Sequence, residues 1–318
     1  MTGYSTGGQN ISGQFGMPLY GISGLLPFTG NYYWVDGTNG SDGNTGGPTD
    51  PFKTLSQAQN SALAGNNDVI FFTGTYSPTA TFTWSKNNTH LIGLSPSPYA
   101  TPKISVASTT ATSGAFSPLV NVTATGCIFK NFSVVSGINQ AATQVCWAEA
   151  GGHNTYINVN LNQVGNATAG AQAGNRALTM ASVNNFFLEC VIGSDALVRA
   201  TNGNASLTFL ATSGASKFVN CLFPMWSSAA GNTFATAAAT TMTGTTVFNG
   251  CQFTNNIQGA GYTANTAGFS ISTTAGGIVL LDANSVMVGA TAIATSGPVY
   301  ISGAVPTATT SNIAVAAT

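Results

Sequence analysis

The amino-acid sequence predicts an all-β fold, a single-stranded right-handed parallel β-helix whose coils of about 30 residues stack along one axis. Three observations predict it: a motif of short apolar strands recurs at a nearly constant interval, turn-forming residues separate the strands, and only 5% of the residues are charged. The predicted organisation is an N-terminal arm over 1–30, the β-helix over 31–264, and a C-terminal β-rich segment over 265–318.

The repeated motif occurs five times and is the main support for the coils. Each copy has six positions, with an aromatic residue at the first, a small or apolar residue at the fourth and an apolar residue at the sixth. The copies begin at Phe129, Tyr156, Phe187, Phe218 and Phe248. The fourth positions are separated by 27, 31, 31 and 30 residues and are Phe132, Val159, Cys190, Cys221 and Cys251. Three short strands and three turns use roughly 20–30 residues per circuit, so residues one period apart stack. We expect the fourth positions to form a buried core ladder.

The segment before the repeats predicts one helix between two strands. Residues 32–35 form a short β-prone run, and a loop dense in Gly, Asn and Asp follows it up to residue 50. Apolar residues then recur at helical spacing over 52–63, with Asp50 as a plausible N-cap and Pro51 at the first helical position. We expect this helix to cap the N-terminal end of the stack, which would otherwise template aggregation. Residues 69–72 are predicted to be a buried strand.

The N-terminal arm is too apolar for a free tail and too often broken by Gly and Pro for a helix. Two interpretations stay open, an arm that binds a partner and a cap over the end of its own domain. Its candidate partner-binding residues are Phe15, Met17, Leu19, Tyr20, Ile22, Leu25, Leu26 and Phe28.

The C-terminal segment has Asp282 as its one charged residue and contains four short apolar runs, at 278–281, 286–288, 299–301 and 313–315. These runs predict strands. They either finish the helix or pair with other copies of the chain, which makes the segment a candidate for oligomerisation.

Charge and hydropathy exclude several classes of function. Seven basic and eight acidic residues give a net charge of −1, and the basic residues are scattered, whereas phosphate binding needs them clustered. We therefore expect no nucleic-acid partner and no membrane partner. The most apolar tract, 276–294, is interrupted by Asp282 and falls short of the roughly 20 apolar residues that span a bilayer. The first residues lack a signal-peptide pattern, which predicts synthesis in a cytoplasm without export by that route.

The five cysteines are odd in number, contain no Cys-x-x-Cys pair and have no zinc spacing. We interpret them as buried free thiols that behave as small apolar residues.

Four segments in order carry a resemblance to a known family. They are Tyr33-Trp-Val-Asp-Gly-Thr-Asn-Gly-Ser-Asp-Gly, Pro51-Phe-Lys-Thr-Leu, Asn67-Asp-Val-Ile-Phe and Leu91-Ile-Gly-Leu. This order resembles the N-terminal half of pectin-lyase-like β-helix proteins, and it is more closely similar to tailed-phage virion proteins of that fold that are proposed to decorate capsids. The resemblance covers residues 31–135 and continues through the coil period to about residue 255.

The resemblance implies a structural virion protein, most readily a capsid decoration or cement protein on the outer surface of a phage head. It implies a homotrimer, the major capsid protein as partner, and synthesis in the host cytoplasm. We expect no cofactor and no enzymatic activity, because the sequence offers no convincing catalytic constellation. The alternative is a tailspike-like β-helix that binds or depolymerises a polysaccharide at a site between subunits. Fold alone does not decide between them.

The acidic residues supply no recognisable catalytic constellation. Glycosidases need two carboxylates about 5–9.5 Å apart, and only Glu149, Glu189 and Asp195 fall on the coils. No two of these share a coil position, and the closest pair, Glu189 with Asp195, is interpreted as a solvated surface pair. A lyase of this fold would be expected to use a calcium cluster of stacked acids, which the coils lack. The loop from Asp36 to Asp50 has a composition suited to calcium but equally to tight turns, and we favour turns; no metal site is predicted.

Histidine, tryptophan and threonine do not change this interpretation. His90 and His153 have no nucleophile in a recognisable motif and are interpreted as structural or surface residues. Trp34, Trp84, Trp147 and Trp226 occupy different coil positions, which favours core or interface packing over a sugar-stacking groove. An ice- or glycan-binding Thr array is discounted because no regular Thr-x-Thr recurs at one coil position.

Overall fold

The computed structural model describes residues 30–94, 102–106, 117–162, 165–256, 261–295 and 297–302. The predicted partner-binding residues of the arm, Phe15 to Phe28, and the predicted strand at 313–315 lie outside these residues. Within the described ranges all 25 strands that pair do so in parallel, and the chain winds as a right-handed parallel β-helix, as predicted.

Three parallel sheets form the walls of the helix, and sheet A begins each coil. Its strands are β1 (Tyr32–Asp36), β2 (Asp68–Thr73), β5 (Thr89–Gly93), the first part of β8 (Ile128–Ser136), the first part of β10 (Thr155–Asn162), β12 (Phe186–Leu188), β17 (Lys217–Val219), β20 (Met242–Asn249), β23 (Gly277–Leu281) and β25 (Val299–Ile301). The two-residue strand β16 (Ser213–Gly214) pairs with the start of β20.

Sheet B follows sheet A across a sharp bend. Its strands are β3 (Thr75–Tyr76), β6 (Lys103–Val106), the second parts of β8 and β10, β13 (Val191–Ile192), β14 (Ser194–Arg199), β18 (Leu222–Ser227), β21 (Gln252–Asn255) and β24 (Val286–Val288). The bend residues have positive φ angles of 52–65° and are Asn131, Asn158, Glu189, Asn220 and Gly250. Asn and Gly tolerate this left-handed conformation, and one such residue per coil lets the chain turn without a longer loop.

Sheet C closes each coil and carries seven strands. They are β4 (Phe82–Trp84), β7 (Val120–Val122), β9 (Val145–Glu149), β11 (Arg176–Met180), β15 (Ala205–Phe209), β19 (Thr233–Ala237) and β22 (Phe269–Ile271). Longer loops connect sheet B to sheet C, and short turns return the chain to sheet A.

The core is a set of stacked rows, one residue per coil. The predicted ladder positions Phe132, Val159, Cys190, Cys221 and Cys251 are all buried, and the register of sheets A and B places them one above another. The aromatic residues three positions earlier form a second row, with stacked ring centroids 4.9, 4.4, 4.6 and 4.8 Å apart, through Phe129, Tyr156, Phe187, Phe218 and Phe248. The spacing of both rows follows from the distance of about 4.8 Å between neighbouring strands.

Buried asparagines satisfy the backbone at the turns between coils. The Oδ1 atoms of Asn175, Asn204 and Asn232 accept hydrogen bonds of 2.7–2.9 Å from the backbone N–H at the same position of the preceding coil. Asn154 and Asn185 do the same at the turns from sheet C to sheet A. Buried backbone donors need such partners, so these side chains replace the ladder bonds that the turns interrupt.

The predicted capping helix is shorter than expected. Helix α1 spans Leu55–Ser61, and its N-cap is Thr54, whose side chain accepts from the Gln57 N–H at 3.0 Å. The prediction of a helix over 52–63 capped by Asp50 was wrong at the start because Phe52 forms a parallel bridge with Val35. Its N–H donates to the Trp34 carbonyl and its carbonyl accepts from the Asp36 N–H, so it is held as a strand. The helix packs against β1 and β2.

One further helix lies within the described residues. Helix α2, Ala167–Gly170, is a single turn in a loop between sheets B and C. No helix of the described residues has the length and apolar content to cross a membrane.

The C-terminal segment finishes the helix as far as it is described. Strands β22 to β25, between Phe269 and Ile301, pair in parallel with the coil before them, so the stack continues past the boundary predicted at residue 264. The prediction of free thiols is confirmed, because all five cysteines are unpaired and buried.

Candidate functional site

The outer face of sheet C carries one row of polar side chains that runs the length of the sheet. The register aligns one outward position on all seven strands, and the residues there are Thr83, Asn121, Ala148, Thr179, Thr208, Thr236 and Ser270. Six of these seven carry a hydroxyl or amide group. Because neighbouring strands are about 4.8 Å apart, the row presents hydrogen-bonding groups at that interval except at Ala148.

A shallow groove of about 480 Å³ lies over the middle of this row. Its polar members are Asn121, Arg176, Thr179 and Thr208. The remainder of its lining is apolar or small and consists of Pro118, Val145, Ala148, Gly174 and Leu210. The groove is open to solvent and sits on rigid strands, which hold its side chains in fixed positions.

Arg176 is the cation of the groove. Its Nη1 donates to the carbonyls of Asn175 and Gly203, each at 2.8 Å, and its Nε donates to the Thr208 hydroxyl. Burial lowers the pKa of Arg176 to about 10, so the guanidinium stays charged at neutral pH. These bonds fix the guanidinium beside the polar row, where it can offer a planar fork to a carboxylate or sulfate.

The groove contains no acidic side chain. All eight acidic residues of the sequence lie within the described ranges, and none occupies the outer face of sheet C. The closest along the chain is Glu149, which follows Ala148 on β9 and points inward, with only 1% of its surface exposed. A carboxylate pair of the kind that glycosidases use is therefore not assembled in the groove.

Glu149 anchors a buried polar cluster instead. Its carboxylate accepts from the N–H groups of Gly151 at 2.9 Å and Gly152 at 2.8 Å, from the Asn154 amide, and from the hydroxyls of Ser182 and Tyr156. Burial raises the pKa of Glu149, and the hydrogen bonds from these donors offset part of that rise. Burial and the Glu149 charge raise the pKa of Tyr156. The cluster ties the turn after β9 to the coil, and its side chains are almost completely buried.

Asp68 is also buried, and its carboxylate accepts from the N–H groups of Asn31 and Leu63. The remaining acidic residues lie in turns or on the surface. Glu189 and Asp195 are both exposed, in line with the surface pair expected from the sequence. In the loop from Asp36 to Asp50, the Asp42 carboxylate accepts from the N–H groups of Lys53 and Thr54, and Asp50 accepts from Thr45. These bonds give the loop acids a turn-forming role. The described residues contain no group of three or more His, Cys, Asp or Glu arranged to hold a metal ion.

The histidines have structural surroundings. His90 is 4% exposed, and its Nδ1 accepts from the Ile128 N–H at 3.1 Å. Burial lowers the pKa of His90 to about 4, so the ring is neutral at physiological pH. His153 lies in a turn with a positive φ, and its Nε2 is 3.2 Å from the Asn184 amide nitrogen.

The four tryptophans are dispersed and build no sugar-stacking groove. Trp84 and Trp147 lie in the core, Trp34 stands on the outer face of sheet A beside Phe71, and Trp226 lies on sheet B.

The polar row and Arg176 were not singled out from the sequence as a site. A search for Thr-x-Thr misses them because each coil contributes one outward residue here, flanked by buried apolar neighbours, as in Leu178-Thr-Met and Leu207-Thr-Phe. An apolar-Thr-apolar triplet that recurs at the coil period is the signal that identifies the row.

Comparison with known proteins supports the fold and leaves the family open. No family model matches the chain, and no curated protein matches it. Among solved structures it is similar to pectate lyase Pel9A, with a TM-score of 0.58 and 17% identity over 82% of this chain and 63% of that one. It is also similar to a rhamnogalacturonan lyase, with a TM-score of 0.55 and 18% identity over 81% of this chain and 68% of that one.

A third similar structure is the pectin methylesterase PemA from Erwinia chrysanthemi, with a TM-score of 0.53 and 17% identity over 87% of this chain and 81% of that one. This chain covers 63% of the length of pectate lyase Pel9A. At these identities the likeness establishes a shared pectate-lyase-like β-helix.

Proposed function

We propose that this protein binds a polysaccharide along the outer face of sheet C. The observation that carries the proposal is the row of hydroxyl and amide groups repeated on successive coils, with the groove around Arg176 at its centre. A linear sugar chain presents hydroxyl groups at regular intervals, and a row of fixed Thr and Asn side chains can hydrogen-bond to them.

Two further features support a sugar ligand and suggest its charge. The similar structures are enzymes whose names refer to pectate, rhamnogalacturonan and pectin, all polysaccharides. The Arg176 guanidinium has no acidic side chain beside it in the groove, so a uronate carboxylate or a sulfate ester is its natural counter-charge. We assign binding and no cleavage step, because no described carboxylate lies in the groove.

Titration calorimetry with polygalacturonate and a neutral glucan tests this proposal. We expect the acidic polymer to bind and Arg176→Gln to weaken that binding by about tenfold or more, the loss of one charge-assisted contact. Lys217→Gln is the matched control, because it removes one exposed positive charge from sheet A. Equal binding by wild type and Arg176→Gln, or no binding by the wild type to either polymer, contradicts the proposal.

A second variant separates the row from the charge. Thr236→Val keeps the shape of the side chain, removes one hydroxyl outside the groove and leaves Arg176 untouched; we expect a smaller loss of affinity for both charged and neutral sugar chains. Measuring release of reducing ends and of unsaturated products in the same samples tests for depolymerase activity.

We keep the structural virion role as a second proposal. It is motivated by the sequence resemblance, the apolar N-terminal arm and the low charge of the chain. Attachment to the major capsid protein and location on the outer surface of a phage head are predictions from the sequence resemblance. Imaging purified particles tests them: one set of copies at each capsomer junction supports decoration, copies at the tail tip support a spike, and absence from particles contradicts both.

A further inference from the structure

A second cavity lies at the N-terminal end of the polar row on sheet C. It has a volume of about 330 Å³ and lies between helix α1, the loop after β3 and strand β4. Thr83, the first residue of the polar row, belongs to its lining. This volume is at the lower end of the range for small-ligand sites, about 300–1,000 Å³. We call this cavity the terminal pocket.

Helix α1 forms the end wall of the terminal pocket. Strand β4 is the edge strand of sheet C, and the helix lies along its free edge. The Gln59 side chain donates from Nε2 to the Thr83 carbonyl at 2.9 Å and accepts at Oε1 from the Ser85 N–H at 2.6 Å. A residue of a neighbouring parallel strand would make the same two bonds. The polar row therefore stops at α1, and a ligand chain that lies along the row ends there.

The lining of the terminal pocket is rich in hydroxyl groups. Six of its residues carry one, and they are Ser56, Tyr76, Thr79, Thr81, Thr83 and Ser85. Asn60 adds an amide from helix α1, and Pro78 and Ala80 add apolar surface. None of the described residues that line the pocket is charged. Hydroxyl and amide groups beside a small apolar surface suit an uncharged sugar residue, which has both hydroxyl groups and apolar C–H groups.

Polar groups of the terminal pocket are available to a ligand. Asn60, Thr79 and Thr83 are exposed, and their side chains make no hydrogen bond to any residue that the structure describes. The hydroxyl oxygens of Ser56 and Tyr76 lie 2.8 Å apart and bond to each other, which holds both groups in place at the side of the pocket.

The terminal pocket and the Arg176 groove are neighbours along the row. Thr83 pairs in register with Asn121, which lines the groove. The Thr81 hydroxyl donates to the carbonyl of Pro118, another lining residue of the groove, at 2.7 Å. Arg176 on β11 is three strands away from β4, or about 14 Å along the axis. An oligosaccharide of several residues spans that distance, so one ligand chain can contact both sites.

We propose that the terminal pocket is the subsite for the end residue of a polysaccharide, and that the protein therefore recognises chain ends. The pocket binds the hydroxyl groups of the terminal sugar, and Arg176 binds a carboxylate or sulfate further along the same chain. The wall that α1 forms leaves no path for the chain beyond the pocket. This inference rests on the proposed binding of a polysaccharide along sheet C.

Titration calorimetry with size-fractionated oligogalacturonates tests the inference through the stoichiometry of binding. We expect one protein molecule per oligosaccharide chain at every length that reaches Arg176, because each chain has one end of the kind that fits the pocket. Binding along the row without end recognition would let longer chains bind more protein molecules.

Ala80→Trp tests the pocket itself, because the indole ring fills the cavity and leaves the row and Arg176 unchanged. We expect the affinity for a short oligogalacturonate to fall by about tenfold or more. Ala80 is exposed, so the variant should fold, which circular dichroism and thermal melting verify. Ala196→Trp is the matched control, since it makes the same substitution at an exposed position on sheet B, and we expect it to bind like the wild type.

Thr79→Val is a milder second variant that decides the question if Ala80→Trp does not fold. It removes one exposed hydroxyl from the pocket, and we expect an affinity loss of about fivefold. A stoichiometry that rises with chain length, or wild-type affinity in both pocket variants, overturns the terminal subsite. Binding along sheet C then still stands if Arg176→Gln weakens it. A wild type that binds no oligogalacturonate of any length contradicts both proposals.

Discussion

Truncation of one aromatic side chain in the core tests the stacked register directly. Phe187 is fully buried, and its ring centroid lies 4.4 Å from that of Tyr156 and 4.6 Å from that of Phe218. Phe187→Ala leaves a cavity between two stacked rings. Such truncations cost about 3–5 kcal/mol, and each lost aromatic pair contributes about 0.5–1.5 kcal/mol beyond its buried area. We expect the free energy of unfolding to fall by about 4–5 kcal/mol.

Phe186→Ala is the matched control because it removes the same ring one residue earlier on the same strand. Phe186 faces outward and is partly exposed, so its truncation should cost only about 1 kcal/mol. Urea unfolding followed by far-ultraviolet circular dichroism measures both variants at one pH and temperature. A larger loss for Phe186→Ala than for Phe187→Ala, or equal losses, would refute the register, since a shift by one residue exchanges the two faces of the strand.

Three further perturbations test the buried polar cluster, the thiols and the bend. The pKa of Glu149 is raised in the folded state, so the folded chain holds the carboxyl proton more tightly than the unfolded chain does. The stability that this proton contributes is complete below the ordinary pKa of 4.5 and is lost as the pH rises through the folded pKa. Wild type should therefore lose stability relative to Glu149→Gln as the pH rises from 4 toward neutrality in urea titrations; a constant difference contradicts this. All five cysteines are buried, and burial raises the pKa of Cys127 to about 11 and that of Cys146 further. Because a reagent cannot reach a buried thiol, a thiol-specific reagent at about pH 8 should label the five cysteines only after unfolding, and rapid labelling of the folded chain contradicts their burial. Glu189→Asn should raise the free energy of unfolding by about 1 kcal/mol, because Asn adopts the left-handed conformation more readily than Glu and can bond to its neighbours as Asn158 bonds to Asn131 at 3.0 Å; a lower melting temperature contradicts this.

The sequence by itself determined the coil. A strand exposes alternate residues, and a coil returns to the same wall after about 30 residues. The recurrence of Phe129, Tyr156 and Phe187 at that period therefore predicts that these residues stack on one another. The burial of the cysteines follows from the same periodicity. Local patterns also located helix α1, although they misplaced its start, because the bridge between Phe52 and Val35 joins residues 17 positions apart and no local signal reports it.

Only the tertiary structure decided which polar residues lie together. Thr179, Thr208 and Thr236 are separated by 29 and 28 residues in the chain, and loops of different lengths hide their common position until the strands are aligned. Glu149 and Ala148 are neighbours in the chain but lie on opposite faces of sheet C. Glu149 is buried in the polar cluster, whereas Ala148 lines the open groove. The period of the sequence fixes which residues share a wall of the helix, whereas register and strand orientation fix which of them can meet a ligand.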